Sequence, residues 1–319
     1  MMPDTDMIFI AGPTASGKSH LGLTLAARLN GAIINADSMQ VYADIPIITA
    51  APSKAEMASA PHHLFAHIDP SKPYSQAEWL EDARQAVAMI RANGQIPILV
   101  GGTGFYFKAA LDGIVPMPDI PPDIKAQTEA MMRALDNAEL HAKLADVDPE
   151  LANRLETGDT QRILRGLEIW LASQIPLSQW QKGRPQGQID GKPLTIYLRP
   201  PRDALYERIN SRFRHMFAAG AIDEVAALAA RQIDERVPAM KAVGVRPILD
   251  MLRHEIDKET ATALAMRDSR RYAKRQYTWF DHQYDADLTI NQFPDDKQSD
   301  QVINLILSNF QKEFDEKTC

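Results

Sequence analysis

Gly12, Pro13, Thr14, Ala15, Ser16, Gly17, Lys18 and Ser19 follow the pattern G-x-x-x-x-G-K-[ST] and so have the types and spacing of a phosphate cradle. In such a turn the backbone N–H groups and a helix start face an anion, Lys18 adds a point charge, and the Ser19 hydroxyl can reach Mg²⁺. The pattern alone is moderately specific, so its flanks matter. The apolar run Met7 to Ala11 reads as a buried strand, and Leu21 to Leu29 reads as a helix. Strand, glycine-rich turn and helix in that order point to a bound di- or triphosphate.

Other residues could act on what such a loop holds. Asp37 follows a second apolar run, Ala32 to Ala36, and falls on the rim where strand ends line a ligand crevice. A carboxylate there either binds Mg²⁺ through water, accepts a proton from a nucleophile, or caps a helix. Gly101, Gly102, Thr103 and Gly104 end a further strand on the same rim. Thr103 either donates to a phosphate or leaving-group oxygen, or sits in a turn that needs glycine geometry. Arg162 and Arg165 share a helix face and suit either a backbone phosphate or solvent. Between Arg267 and Arg275 there are five Lys/Arg in nine residues, with Tyr272, Tyr277 and Trp279 nearby. Phosphate neutralisation with aromatic stacking suggests RNA contact, against the alternative of a solvated helix with its rings turned inward. Arg208, Arg212 and Arg214 lie on a helix that could fold over phosphates, with Arg212 the expected diphosphate contact. His62 and His63 have no partner ligands at metal spacing and read as structural.

These residues need a frame. Apolar strands at Met7–Ala11, Ala32–Ala36, Leu64–Ile68 and Ile96–Val100 alternate with helices, one of them Gln76–Ala92 capped by Ser75. That rhythm indicates an α/β fold with a parallel sheet covered on both faces. A proline-rich connection, Gly113 to Pro122, opens a nearly all-helical stretch, with helix starts at Asp148 and Asp159. The sheet resumes at Pro193–Leu198, helices follow, and Ala286–Ile290 reads as a last strand before a closing helix. The expected organisation is a core of residues 1–116 and 193–319 with a helical insertion at 117–192.

The 319-residue chain carries a net charge of −7, which excludes a generally basic nucleic-acid coat but leaves room for a local patch. Its only cysteine, Cys319, allows no internal disulfide and no cysteine zinc site, which fits a reducing, cytoplasmic setting. No apolar run approaches the ~18–20 residues of a membrane span, and the acidic start MMPDTD does not read as a targeting peptide. A monomer is the default expectation.

With these pieces in place the chain resembles the tRNA dimethylallyltransferases (isopentenyl-tRNA transferases) along nearly its whole length. The segments carrying the likeness are GPTASGKS, NADSMQVY, GGTGFYF, DPELANRL with GDTQRILRGLEIW, RFRHMFAAGAIDEV, AMKAVGVR and YAKRQYTWF. The resemblance implies a P-loop NTPase-like core. It also implies transfer of a dimethylallyl group from dimethylallyl diphosphate to the exocyclic 6-amine of the adenosine just 3′ of the anticodon, in tRNAs reading codons that begin with U. The phosphate loop, with Mg²⁺ near Ser19, would hold the leaving diphosphate. Asp37 would bond the amine and act as general base, and Thr103 would bond the bridging oxygen. The adenosine would be flipped into the pocket. Asp37, Ser38, Met39, Gln40, Lys125, Gln161, Arg162, Ile163, Leu164, Arg165, Lys241, Arg246, Arg271, Lys274 and Arg275 would meet the tRNA anticodon stem-loop, with the helical insertion as a clamp. The chain departs from many members at Ala43 and Ala51, where a basic residue and a lysine are common, and at Val245, where a tyrosine is common. Other readings on the same motifs are a small-molecule kinase, a prenyltransferase acting on a free adenine nucleotide, and a non-catalytic RNA-binding protein.

Overall fold

The computed structural model describes residues 5–294 and 299–315; Met1–Asp4 and Cys319 lie outside them. Strands β1 (Thr5–Ala11), β2 (Gly31–Asn35), β3 (His62–His63), β4 (Ile96–Gly101), β5 (Lys192–Leu198) and β6 (Leu288–Ile290) form one sheet in the order β3-β2-β4-β1-β5-β6, and every pairing is parallel. The continuous apolar runs explain this, because a parallel sheet is buried on both faces. Along β1 the faces alternate. Ile8 and Ile10 pack with Leu21 and Leu25 of helix α1 (Lys18–Leu29), while the Phe9 ring meets Phe107 edge-on.

The chain divides into two compact units, one of residues 1–111 and 189–319, the other of 112–188. In the first, α2 (Pro46–Thr49), α3 (Lys54–Ser59), α4 (Gln76–Ala92) and α5 (Gly104–Asp112) follow α1. Ser75 caps α4 as expected: its hydroxyl accepts from Glu78 N, and the Glu78 carboxylate accepts from Ser75 N.

The second unit holds α6 (Pro122–Ala134), α7 (Asn137–Val147), α8 (Pro149–Ala152), α9 (Thr160–Ser173) and α10 (Leu177–Trp180) around a leucine-rich core. Buried Asp148 organises it by accepting from Leu151 N and Ser178 N, which caps α8 and fixes α10. Ile114 and Gln186 exchange two backbone hydrogen bonds, which brings the proline-rich connection into this unit. The unit therefore begins at Asp112 and ends at Gln188, some residues earlier at each end than the sequence boundary.

Back in the first unit come α11 (Arg202–Ala218), α12 (Ala221–Ala230), α13 (Val245–Leu252), α14 (Lys258–Gln283) and α15 (Ser299–Asp315). Short helices α2, α3 and α13 carry too little pattern to be read from sequence. The expected strand at Leu64–Ile68 is corrected. Leu64 and Ala66 take positive φ (64° and 48°), which breaks an extended run, and the strand lies earlier at His62–His63.

Gly101 ends β4 where backbone passes backbone: a Cβ there would lie 2.0 Å from Ala36 O. Gly101→Ala is expected to cost about 1–3 kcal/mol, because the obstacle is main chain and cannot rotate away. A thermal melt checks this, and an unchanged Tm would show that the β2–β4 approach is soft.

Candidate active site

The phosphate loop sits between β1 and α1. Ala15 and Gly17 take positive φ (66° and 93°), which curls the backbone into a concave turn. The Lys18 ammonium donates to Pro13 O at 2.6 Å, and Arg212 on α11 donates to the Thr14 hydroxyl. Both cations are strongly desolvated. Burial pushes Lys18 down to about 7, opposed by the charge of Asp37 and reinforced by Arg212. Burial lowers Arg212 to about 10, again opposed by Asp37. Ser16 Oγ and Arg212 Nε are buried without a hydrogen-bond partner among the described residues. A buried orphan acceptor or donor is costly, so these groups are ready for a polar ligand.

Lys18, Ser19, Asp37, Arg208 and Arg212 line a 460 Å³ cavity together with the apolar Leu23, Ile33, Phe65 and Val100. A lining that mixes cations with apolar side chains suits an amphiphile with an anionic head and a hydrocarbon tail. No motif announced the apolar part of the lining. Arg208 stacks on the Phe293 ring, 3.6 Å from its centroid.

Asp37 does not cap a helix: residues 38–41 are turn, and α2 begins only at Pro46. Its Oδ1 accepts from Met39 N at 2.9 Å, and its own N–H donates to Asn35 Oδ1 at 2.8 Å. Thr103 faces the same turn. Its Oγ1 accepts from Ser38 N at 2.9 Å and lies 3.2 Å from Ser38 Oγ, and Tyr272 lies beside it. Thr103 thereby ties the Asp37 turn to the chain just past the end of β4. The Gln40 amide donates to Thr49 O and Ala50 O and so closes the next stretch of wall.

Among the described residues no group of three or more His, Cys, Asp or Glu could hold a metal ion unaided. A divalent ion here would therefore take the Ser19 hydroxyl, with substrate oxygens and water supplying most of its shell. That is how Mg²⁺ commonly sits beside phosphates. The hard oxygen donors on the cavity rim fit such an ion.

The basic helix turns out to have two distinct sides. Arg271, Lys274 and Arg275 are exposed and, with Thr278 and Trp279, line a 560 Å³ groove. Arg271 and Arg275 also join Lys241 and Arg246 around a smaller 280 Å³ groove. Tyr277 is corrected as a stacking candidate: it is 2% exposed, and its hydroxyl donates to Pro200 O. Arg270 turns inward to Asn210. Val245 is fully buried, so that position offers packing and no stacking surface. In the helical unit Gln161, Arg162 and Arg165 are exposed around a groove floored by Leu151, Leu155 and Leu177. Lys125 is exposed on α6, and Leu164 is half-buried. Ile163 is 0% exposed in the unit's core, so its side chain cannot reach a ligand, and that expectation is corrected.

The chain matches the family described as IPP transferase over residues 40–283, and that described as isopentenyl transferase over residues 5–65. It is 46% identical over 278 residues to a tRNA dimethylallyltransferase of Hyphomonas neptunium, covering 87% of this chain and 88% of the relative. It is 47% identical over 279 residues to one of Maricaulis maris, covering 88% and 91%. The full-length tRNA isopentenylpyrophosphate transferase of Bacillus halodurans superposes with a TM-score of 0.68 at 32% identity, covering 99% of this chain and 100% of that one. A eukaryotic dimethylallyltransferase described as acting on tRNA superposes with a TM-score of 0.78 at 27% identity, covering 96% and 80%. The core is thus P-loop NTPase-like, and the chain belongs to the IPP transferase family, whose curated relatives are named tRNA dimethylallyltransferases.

Proposed function

We propose that this enzyme transfers a dimethylallyl group from dimethylallyl diphosphate to the exocyclic 6-amine of the adenosine just 3′ of the anticodon, in tRNAs reading U-starting codons. Family membership carries the coarser statement, dimethylallyl transfer to tRNA. The observation supporting the finer one is the cavity, lined together by the desolvated Lys18 and Arg212, apolar side chains and Asp37.

The phosphate loop, Lys18 and Arg212 bind the diphosphate and stabilise its charge as the C–O bond breaks. Leu23, Ile33 and Phe65 hold the hydrocarbon and exclude water. The adenosine is flipped out of the stack so that its amine nitrogen reaches the allylic carbon. As the C–N bond forms, Asp37 takes the amine proton, and diphosphate leaves. Thr103 bonds the bridging oxygen or, through Ser38, orients the Asp37 turn. The Ser19 hydroxyl would hold Mg²⁺, which would supply further charge neutralisation. Ser38, Met39, Gln40, Lys125, Gln161, Arg162, Leu164, Arg165, Lys241, Arg246, Arg271, Lys274 and Arg275 contact the anticodon stem-loop, and the helical unit of residues 112–188 acts as the clamp. The enzyme works as a cytoplasmic monomer; no helix of the described residues is long and apolar enough to cross a membrane.

The test is mass analysis of tRNA nucleosides after incubation of the protein with unmodified tRNA, Mg²⁺ and dimethylallyl diphosphate. A dimethylallyl gain on adenosine is expected. No gain, with diphosphate still bound tightly, would shift the acceptor to a free adenine nucleotide, which AMP in place of tRNA would reveal.

The double variant Arg271→Ala with Lys274→Ala is expected to weaken tRNA binding and to flatten the dependence of log K on log[salt] by about 1.5–2, since two phosphate contacts go. Diphosphate affinity should not move. An unchanged salt slope would leave this side of α14 a solvated surface.

A further inference from the structure

Gln276 stands in the middle of the basic run, yet it is only 5% exposed. Its amide bridges two loops far apart in sequence. Thr14 N donates to Gln276 Oε1 at 2.8 Å, and Gln276 Nε2 donates to Gly102 O at 2.8 Å. These partners fix which way the amide points, because a backbone N–H only donates and a carbonyl only accepts. The fit is close: a Cβ on Gly102 would lie 2.3 Å from Gln276 Nε2. Thr14 is also the residue whose hydroxyl receives Arg212, and Gly102 immediately precedes Thr103. One turn earlier on the same face of α14, Tyr272 lies beside Thr103. The opposite face of the helix carries Arg271, Lys274 and Arg275.

We infer that Gln276 is a positioning residue that sets the separation of the phosphate loop from the Gly102–Thr103 turn, and so ties the geometry of the bound diphosphate to the helix that faces RNA. The inference rests on the function proposed above. A group that both donates and accepts is required at this point. Leucine or methionine would fill the space and leave Thr14 N and Gly102 O unpaired.

The test is Gln276→Glu, which keeps shape and acceptor and loses the donor when ionised. At about pH 8, kcat should fall about 10- to 100-fold and the Kd for inorganic diphosphate should rise, because the second carboxylate oxygen then faces a carbonyl. The Kd and KM for tRNA should stay at native values. Relative to native enzyme the defect should shrink as pH falls, since a protonated carboxyl regains an O–H for Gly102 O. A merely structural bond would instead show a Tm that falls and recovers together with kcat, whereas positioning changes kcat at constant Tm. Gln276→Met, read by hydrogen exchange, should lose protection at Thr14 N while core amides of β1 keep theirs; this readout also serves if the glutamate variant fails to fold. Native kcat and native diphosphate affinity in Gln276→Glu would overturn the inference, as would a defect that tracks loss of Tm. A native enzyme that prenylates no tRNA would overturn the proposed reaction instead.

Discussion

Asp37→Ala is expected to lower single-turnover prenylation of tRNA about 10²–10⁴-fold, the range for losing a general base. Affinity for tRNA should change only slightly. The geometry is the reason. The Asp37 backbone is pinned by Asn35, whose amide also donates to Asp37 O and Leu64 O, and Oδ1 is held by Met39 N. The carboxylate is therefore held in one orientation in the lining of the cavity that also takes in the desolvated Lys18 and Arg212. Asp37→Asn keeps the shape and one acceptor and loses the base, so it should be nearly as slow as the alanine variant. Because Asp37 raises the Lys18 pKa, its loss takes that pKa below the native value of about 7, so both variants should be assayed well below pH 7, where Lys18 stays charged. Near-normal turnover in either one would remove Asp37 from the proton transfer.

Lys18→Met is expected to lower kcat about 10²–10³-fold, because a preorganised charge aimed at the leaving group is lost. The native enzyme should show a matching pH signature. Lys18 titrates at about 7 in the free protein, against an ordinary 10.5, because its ammonium is buried. Below that pH it is charged and ready for an anion; above it the proton is lost. A bound diphosphate favours the charged form and raises the pKa again. Binding at about pH 8 should therefore draw in roughly one proton, and affinity should fall as pH rises above about 7. Calorimetry in two buffers of different ionisation enthalpy measures the uptake. Lys18→Met should abolish it. Uptake of no proton by the native enzyme would mean that Lys18 is already charged in the free protein.

Features resting on short stretches of chain were open to the sequence. The phosphate loop is eight consecutive residues between a strand and a helix, and its turn is set by Gly12 and Gly17 themselves. The capping box at Ser75 and the buried run of β4 depend on neighbours within a turn or a pleat. The Leu64–Ile68 reading failed because apolar content alone cannot reveal the positive φ of Leu64 and Ala66, which the surrounding chain imposes.

Tertiary packing decided what no local pattern encodes. Tyr272 and Tyr277 looked equivalent among the basic residues, but helix phase sends Tyr277 into the core against Pro200 and leaves Arg271, Lys274 and Arg275 outside. Lys241, Arg246, Arg271 and Arg275 become one groove only because α13 packs on α14. Gln276 acquires a role because it meets Thr14 across 262 residues. The sequence by itself determined the α/β class, the phosphate loop, and Asp37 and Thr103 as the residues at the strand ends. It did so because propensity and periodicity act between near neighbours. The apolar lining of the cavity, the two-sided α14 and the buried groups at Ser16 and Arg212 that lack a partner among the described residues were decided by the fold, because burial and electrostatic field depend on which distant segments exclude water together.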